Sequence, residues 1–203
     1  MLAAEPTRRY RMVVRAEKKE QTRQAIIEAM KQAIKAQPYS AIKVAEVAAA
    51  AGVSAQTLHQ RFGSKEALFL EAIGQLGPEM LALRGNPTPG DVQAIVAGLV
   101  GQYERYGDAN WALLPLERDL PAVAAGRAQG RAGHRRWLEE VFAPGLPTTA
   151  SSRGRAVDAL YAATDVGTWK LLRRDLGLSR ARTAGAIEVL VRGALATDSG
   201  SGG

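Results

Sequence analysis

Residues 44–65, VAEVAAAAGVSAQTLHQRFGSK, decide how the rest of the chain is read. Val44, Val47, Ala48 and Ala51 recur at three- and four-residue spacing, which predicts a helix with a narrow face of small apolar side chains. Small side chains let a second helix approach closely. Gly52 suits a helix end that needs positive φ, Val53 covers the corner, and Ser54 is a good N-cap for a helix beginning near Ala55. That second helix has two apolar anchors, Leu58 and Phe62, one turn apart, while Gln56, Thr57, His59, Gln60 and Arg61 point elsewhere. Such side chains reach phosphates and base edges, and a helix-turn-helix offers its second helix to the major groove. Ala55 to Phe62 therefore reads as a recognition helix.

The chain has 203 residues, 46% of them hydrophobic and 23% charged, an ordinary globular composition for one large or two small packed units. It contains no run of eighteen apolar residues and no apolar segment behind the basic N-terminus, so neither a membrane partner nor a secretory signal is expected. The absence of cysteine excludes disulfides and thiolate metal sites and fits a reducing cytoplasm. Two histidines, His59 and His134, and no carboxylate pair at ligand spacing leave little from which to build a metal site or a catalytic centre; no cofactor is expected. The net charge of +7 is unevenly placed. Residues 1–66 hold twelve basic against six acidic residues, and the remainder fifteen against fourteen. The excess coincides with the helix-turn-helix, so charge and motif both point to a polyanion such as double-stranded DNA.

Residues 1–16, with Arg8, Arg9, Arg11 and Arg15, read as a basic, flexible arm that either contacts phosphates or the minor groove or is an unstructured leader. A helix is expected from Ala16–Gln21 to about Ala36, with Ile26, Met30, Ala33 and Ile34 inward and Ile27 and Ala29 at the margins; Pro38 ends it. Tyr39 and Ile42 pack beneath the three-helix unit. The segment TRQAIIEAMKQAIKAQPYSAIKVAEVAAAAGVSAQTLHQRFGSKEALFLEAI, residues 22–73, resembles the N-terminal DNA-binding domain of tetracycline-repressor (TetR) family regulators. Its most telling pieces are Thr22-Arg23, Tyr39, VAEVAAAAGVS, Thr57-Leu58, and Phe62 followed by Ser64-Lys65-Glu66-Ala67-Leu68.

The resemblance implies that Thr57 contacts phosphate or base, that Lys65 contacts phosphate, and that Leu58 and Phe62 hold the recognition helix in place. The candidate DNA-binding set is Thr22, Arg23, Lys43, Ser54, Ala55, Gln56, Thr57, His59, Gln60, Arg61 and Lys65. Four positions depart from the family pattern. Pro38 stands for a usual glycine, Lys43 for a capping Thr or Ser, His59 for a tyrosine and Arg61 for a histidine. Lys43 puts a cation at a positive helix end, unfavourable by ~1 kcal/mol unless a phosphate binds there.

Residues 17–63 are thus expected to form the DNA-binding domain and 64–197 a helical regulatory and dimerisation domain, with 64–76 as connecting helix and 198–203 as disordered tail. In the second part, Gly77-Pro78 interrupts the connecting helix and 85–90, GNPTPG, is a loop. Asp91 caps a helix to about Tyr106, broken by 107–110. A short helix follows over 111–118, then one from Pro121 to about Phe142, bent or interrupted at its glycines. A long helix is expected over 153–176 and a last one after Ser179. The final hairpin carries apolar stripes fit for packing together and for pairing with a second copy, so a homodimer through about 153–196 is expected, as the resemblance also implies. Arg127, Arg131, Arg135 and Arg136 form a solvated face or meet an acidic partner.

Trp111, Trp137, Trp169 and Tyr161 either line an apolar cavity in which Glu117, His134 or Asp165 orients a ligand, or pack as core. A lone histidine such as His134 is ordinarily a satisfied core or surface group. The reading is an all-α DNA-binding transcription regulator, a homodimeric repressor released by an unidentified small molecule. A ligand-insensitive architectural DNA-binding protein is the alternative, distinguished by weak, sequence-indifferent, steeply salt-dependent binding. A helical enzyme is the third reading, and would show turnover without a two-fold footprint.

Overall fold

The computed structural model describes residues 8–196, with side chains from Met12. Residues 1–7 of the expected arm and the whole expected tail, 198–203, lie outside the described residues. Among the described residues the chain is all-α, with no strand and no helix long and apolar enough to cross a membrane. It divides into two compact units, Met1–Leu76 and Gly77–Gly203.

In the first unit α1 spans Arg8–Ala36, so the backbone from Arg8 is already helical where an arm to residue 16 was expected. The run 8–21 contains no glycine or proline, so nothing in it stops a helix that the apolar residues downstream anchor. Ile26, Ile27, Met30 and Ile34 are buried, with Ile27 at the centre of the stripe rather than its margin. Pro38 is extended (φ −65°, ψ 153°) and opens a 3-10 turn, Tyr39–Ala41, in place of the left-handed residue its family position suggested. Helix α2 (Val44–Ala50) and α3 (Ala55–Phe62) then follow. Gly52 makes the turn between them at φ 69°, a conformation that L side chains rarely adopt. Helix α4 (Lys65–Ala82) contributes Leu68, Phe69, Ala72 and Leu76 to the core. It carries Pro78 within it and is not interrupted at Gly77. The division between the units falls inside it, so 64–76 groups with the helix-turn-helix.

The second unit is a bundle of α5 (Val92–Ala112), α6 (Pro121–Val141), α7 (Ala150–Thr164), α8 (Val166–Lys170) and α9 (Arg180–Ala196). Asp91 caps α5, accepting from the Ala94 amide at 3.0 Å. That helix does not break at 107–110. Gly107 is buried inside it against the Trp169 ring, where any Cβ would collide with the indole. Helix α6 is likewise continuous through its three glycines. The long helix expected over 153–176 is divided, because Asp165 turns extended (ψ 151°) and its carboxylate accepts from the Gly167 amide at 2.8 Å, starting α8 afresh. A π-helical turn, Leu171–Asp175, follows α8. Valines, leucines and isoleucines of α5, α6, α7 and α9 form the main core, and Leu99, Tyr103, Val166 and Trp169 a second one, with Trp137 packed against both.

Candidate nucleic-acid interface

Helix α3 is short because it is capped at both ends. Ser54 Oγ accepts from the Thr57 amide at 3.1 Å, and Gly63 at φ 74° returns its own amide to the His59 carbonyl. A cap of this kind contributes about 1 kcal/mol, a large share of what one eight-residue helix contributes alone. Leu58 and Phe62 are buried, so the helix can present only its opposite side. On that side Ala55, Gln56, His59 and Gln60 are exposed, with Ser54 beside them. The Thr57 hydroxyl is half-buried and lies 2.9 Å from Ser54 Oγ, which holds it at the helix start.

The cations of the candidate set divide into two groups. Lys43 is exposed at the N-cap of α2, makes no side-chain cap, and sets Nζ 3.2 Å from Glu46 Oε1. Its clash with the helix end is therefore met within the first turn. Arg23 is engaged inside the unit: Nη2 donates to Glu71 at 2.6 Å and the guanidinium lies 4.8 Å over the Phe62 ring. Arg61 Nη1 donates to the Lys19 carbonyl at 3.0 Å, with Nε buried. Lys65 Nζ donates to the Tyr39 carbonyl at 2.6 Å and sits 4.3 Å over the Tyr39 ring, itself against Phe69. The Thr22 hydroxyl donates to Lys18 one turn back in α1.

Arg23, Arg61 and Lys65, read from sequence as DNA contacts, thus tie α1, α3, α4 and the 3-10 turn together, while Thr22, also read as a contact, bonds within α1. The physical reason is that each long cation has an aromatic ring or a main-chain carbonyl within reach of its stem. Gln56, His59, Gln60 and Lys43 remain on the surface, where a helix-turn-helix meets the groove.

In the second unit the seven candidates do not form one cavity. Trp169 is fully buried core, its Nε1 donating to Glu104 at 3.1 Å. Trp111 is 39% exposed under the Lys170 ammonium. Glu117 is paired with Arg127 and Arg131, which hold its carboxyl below the usual range through hydrogen bonds. Asp165 caps α8. Three candidates do come together: His134 stacks on Trp137 at 5.6 Å and meets Tyr161 edge-on at 5.1 Å. Beside Tyr161 a concavity of about 310 Å³ opens to solvent, lined also by Arg131, Ala132, Arg135 and Asp158.

Sequence reading passed over Arg84 and Gln102, which are buried in the same unit and joined at 2.5 Å. An arginine next to a glycine-proline loop and a glutamine in a helix carry no burial signal of their own. Burial drives the His134 pKa down to about 3, with the nearby Arg84 charge adding to the effect.

The model of the tetR family of bacterial regulatory proteins matches residues 26–72. No curated protein matches the chain. Among solved structures, the crystal structure of a TetR-family regulator from Streptomyces coelicolor A3 is 18% identical, covering 88% of this chain and 96% of that chain at a TM-score of 0.38. So loose a superposition carries no argument about this protein. The family match runs from α1 through α2, the Gly52 turn and α3 into α4, so the first unit is similar in sequence to the tetR family of bacterial regulatory proteins over its helix-turn-helix.

Proposed function

We propose that the protein is a cytoplasmic repressor that binds a palindromic operator as a homodimer and is released from it by a small molecule. The observation that carries this reading is the two-sided α3: Leu58 and Phe62 fix it to the unit while Gln56, His59 and Gln60 stand free to meet base edges. Asn- and Gln-type amides pair with adenine, and a neutral or charged imidazole pairs with guanine acceptors. Lys43 supplies a phosphate contact at the adjoining helix start, exchanging Glu46 for the backbone.

One such helix reads only a few base pairs, and two related by a dyad read half-sites about 34 Å apart. The dimer surface is the C-terminal region, about 153–196. In that span Leu171, Leu176, Val189 and Leu190 are each 48% exposed or more, large apolar side chains that a second copy would cover. Release by a small molecule is a reciprocal coupling, in which a ligand binding better to the DNA-free arrangement lowers operator affinity by the same factor that DNA lowers its own. A ligand-insensitive DNA-binding protein is the second reading, favoured by the dispersal of Trp111 and Trp169 away from any common cavity.

Selection of bound fragments from random DNA, followed by footprinting, tests the reading. Recovery of an inverted repeat with half-sites one helical turn apart supports it; recovery of no preferred sequence, with a steep salt slope, favours the second reading.

A further inference from the structure

Among the described residues Arg84 is a buried cation without a counter-ion. It follows the end of α4, and its backbone carbonyl packs so tightly on Gly98 of α5 that a Cβ there would come within 2.5 Å of it. The side chain is 8% exposed, with Nε on Gln102 Oε1 and the guanidinium 4.4 Å over the Trp137 ring. Its Nη1 is buried with no partner among the described residues. A neutral amide oxygen and an indole face do not balance a guanidinium withdrawn from water, so an anion is the missing component. Tyr103, the titratable group that acts on Arg84, is held in its neutral form by burial and donates its hydroxyl to the Thr164 carbonyl.

A second unpartnered atom lies against the same indole. The Thr164 hydroxyl donates to the Leu160 carbonyl at 2.7 Å, so its single proton is committed. His134 Nε2, 3.0 Å from that oxygen, is then the donor to it, and Nδ1 is left as a bare acceptor. Nδ1 is buried without a partner among the described residues. One donor that wants an anion and one acceptor that wants a proton thus belong to side chains packed on the same indole. Tyr161, edge-on to His134, also lines the open concavity, beside Arg131, which is paired with Glu117, and Arg135, which is paired with Asp158.

We propose that the second unit binds a small carboxylate that also carries a hydroxyl, the carboxylate on Arg84 Nη1 and the hydroxyl donating to His134 Nδ1, with the body of the ligand against Trp137. The ligand enters past Tyr161 by rotation of that ring. This rests on the induction reading above and names the chemistry of its effector.

The test is calorimetric titration of the full chain with 2-, 3- and 4-hydroxybenzoate, with benzoate, and with the matching hydroxybenzamides, at constant chloride. At least one hydroxybenzoate is expected to bind about tenfold or more tightly than its amide and tighter than benzoate. Arg84→Met is expected to abolish the carboxylate preference, and His134→Leu to remove only the gain from the hydroxyl. If no carboxylate in the series is preferred over its amide, or if Arg84→Met retains the preference, the proposal is overturned; chloride or water then compensates Arg84. Should Arg84→Met fail to fold, the comparison of acids with amides on the unaltered protein decides alone. An operator-release assay separates the two readings: Arg84-dependent binding that leaves DNA bound keeps the site and sinks induction, while release by neutral compounds alone keeps induction and sinks the site.

Discussion

Arg61 Nη1 donates to the main-chain carbonyl of Lys19, 3.0 Å away and 42 positions earlier in the chain. The guanidinium that sequence pattern offers to DNA thereby fastens the recognition helix to α1. Arg61→Ala removes a charge-assisted bond at an exposed site from a carbonyl that keeps its place in the helix, so it should lower stability by about 1 kcal/mol. Operator affinity falls with it through loss of orientation. The slope of log affinity against log salt, which counts neutralised phosphates, should stay as in the parent. Chemical denaturation together with a salt-dependent binding titration checks this; an unaltered midpoint with a shallower slope would return Arg61 to the phosphate backbone.

Substitutions on the free side of α3 should separate in the opposite way. Gln56→Ala, His59→Ala and Gln60→Ala touch exposed side chains and should leave the unfolding midpoint nearly unchanged. Each that meets a base edge should cost about 1–3 kcal/mol of operator affinity and relax selectivity at one position of the half-site. Binding to a panel of single-base operator variants measures both quantities. Equal losses on every variant would mark a phosphate contact instead.

The exposed apolar residues of the C-terminal region make the dimer testable. Val189 is 70% exposed and Leu190 48% exposed on α9, whose other face holds the buried Ile187, Val191 and Ala194. Val189→Glu with Leu190→Glu should leave the fold intact while shifting sedimentation from dimer to monomer and weakening binding to a full palindrome far more than to a half-site. A double variant that sediments as the parent would place the interface elsewhere.

Acid should destabilise the second unit earlier than its carboxylates alone require. The His134 pKa is driven down to about 3 by burial, whereas an unfolded histidine titrates near its ordinary value of about 6.5. Between those values the unfolded chain binds the extra proton, so stability contributed by neutral His134 is complete above about pH 6.5 and is lost as pH falls. The expected slope is about 1.4 kcal/mol per pH unit below that point. Urea unfolding at pH 7, 6 and 5 should show it in the parent and not in His134→Gln; parallel curves would mean that His134 protonates without leaving its niche.

How far these features were legible in sequence depended on whether a local rule governed them. The helix-turn-helix was legible because its signals are local: the 3–4 spacing of Val44, Val47 and Ala48, the glycine at 52, the Ser54 cap, and two anchors one turn apart. The Asp91 cap and the Ser179 start of the last helix were legible for the same reason, each a short polar side chain reaching an amide three residues on. Gly107 was misread for want of a partner, since the same residue that breaks a free helix also admits an indole from 62 residues away. Division of the expected 153–176 helix at Asp165 went unseen because the aspartate reads in sequence as a ligand-orienting group, and its capping role shows only when its carboxylate is found on the Gly167 amide.

Tertiary structure alone decided which cations are available. Composition and motif together placed the basic excess on the N-terminal third and named the helix expected to meet DNA. They carry no information on whether the stem of an arginine or lysine lies along a ring of another helix. Arg23 found Phe62 and Glu71, Lys65 found Tyr39, and Arg84 found Trp137 and Gln102. Long side chains reach across elements whose packing is set by apolar surface, so their ends are placed by residues distant in sequence, whereas a cap or a turn is settled within four residues of itself.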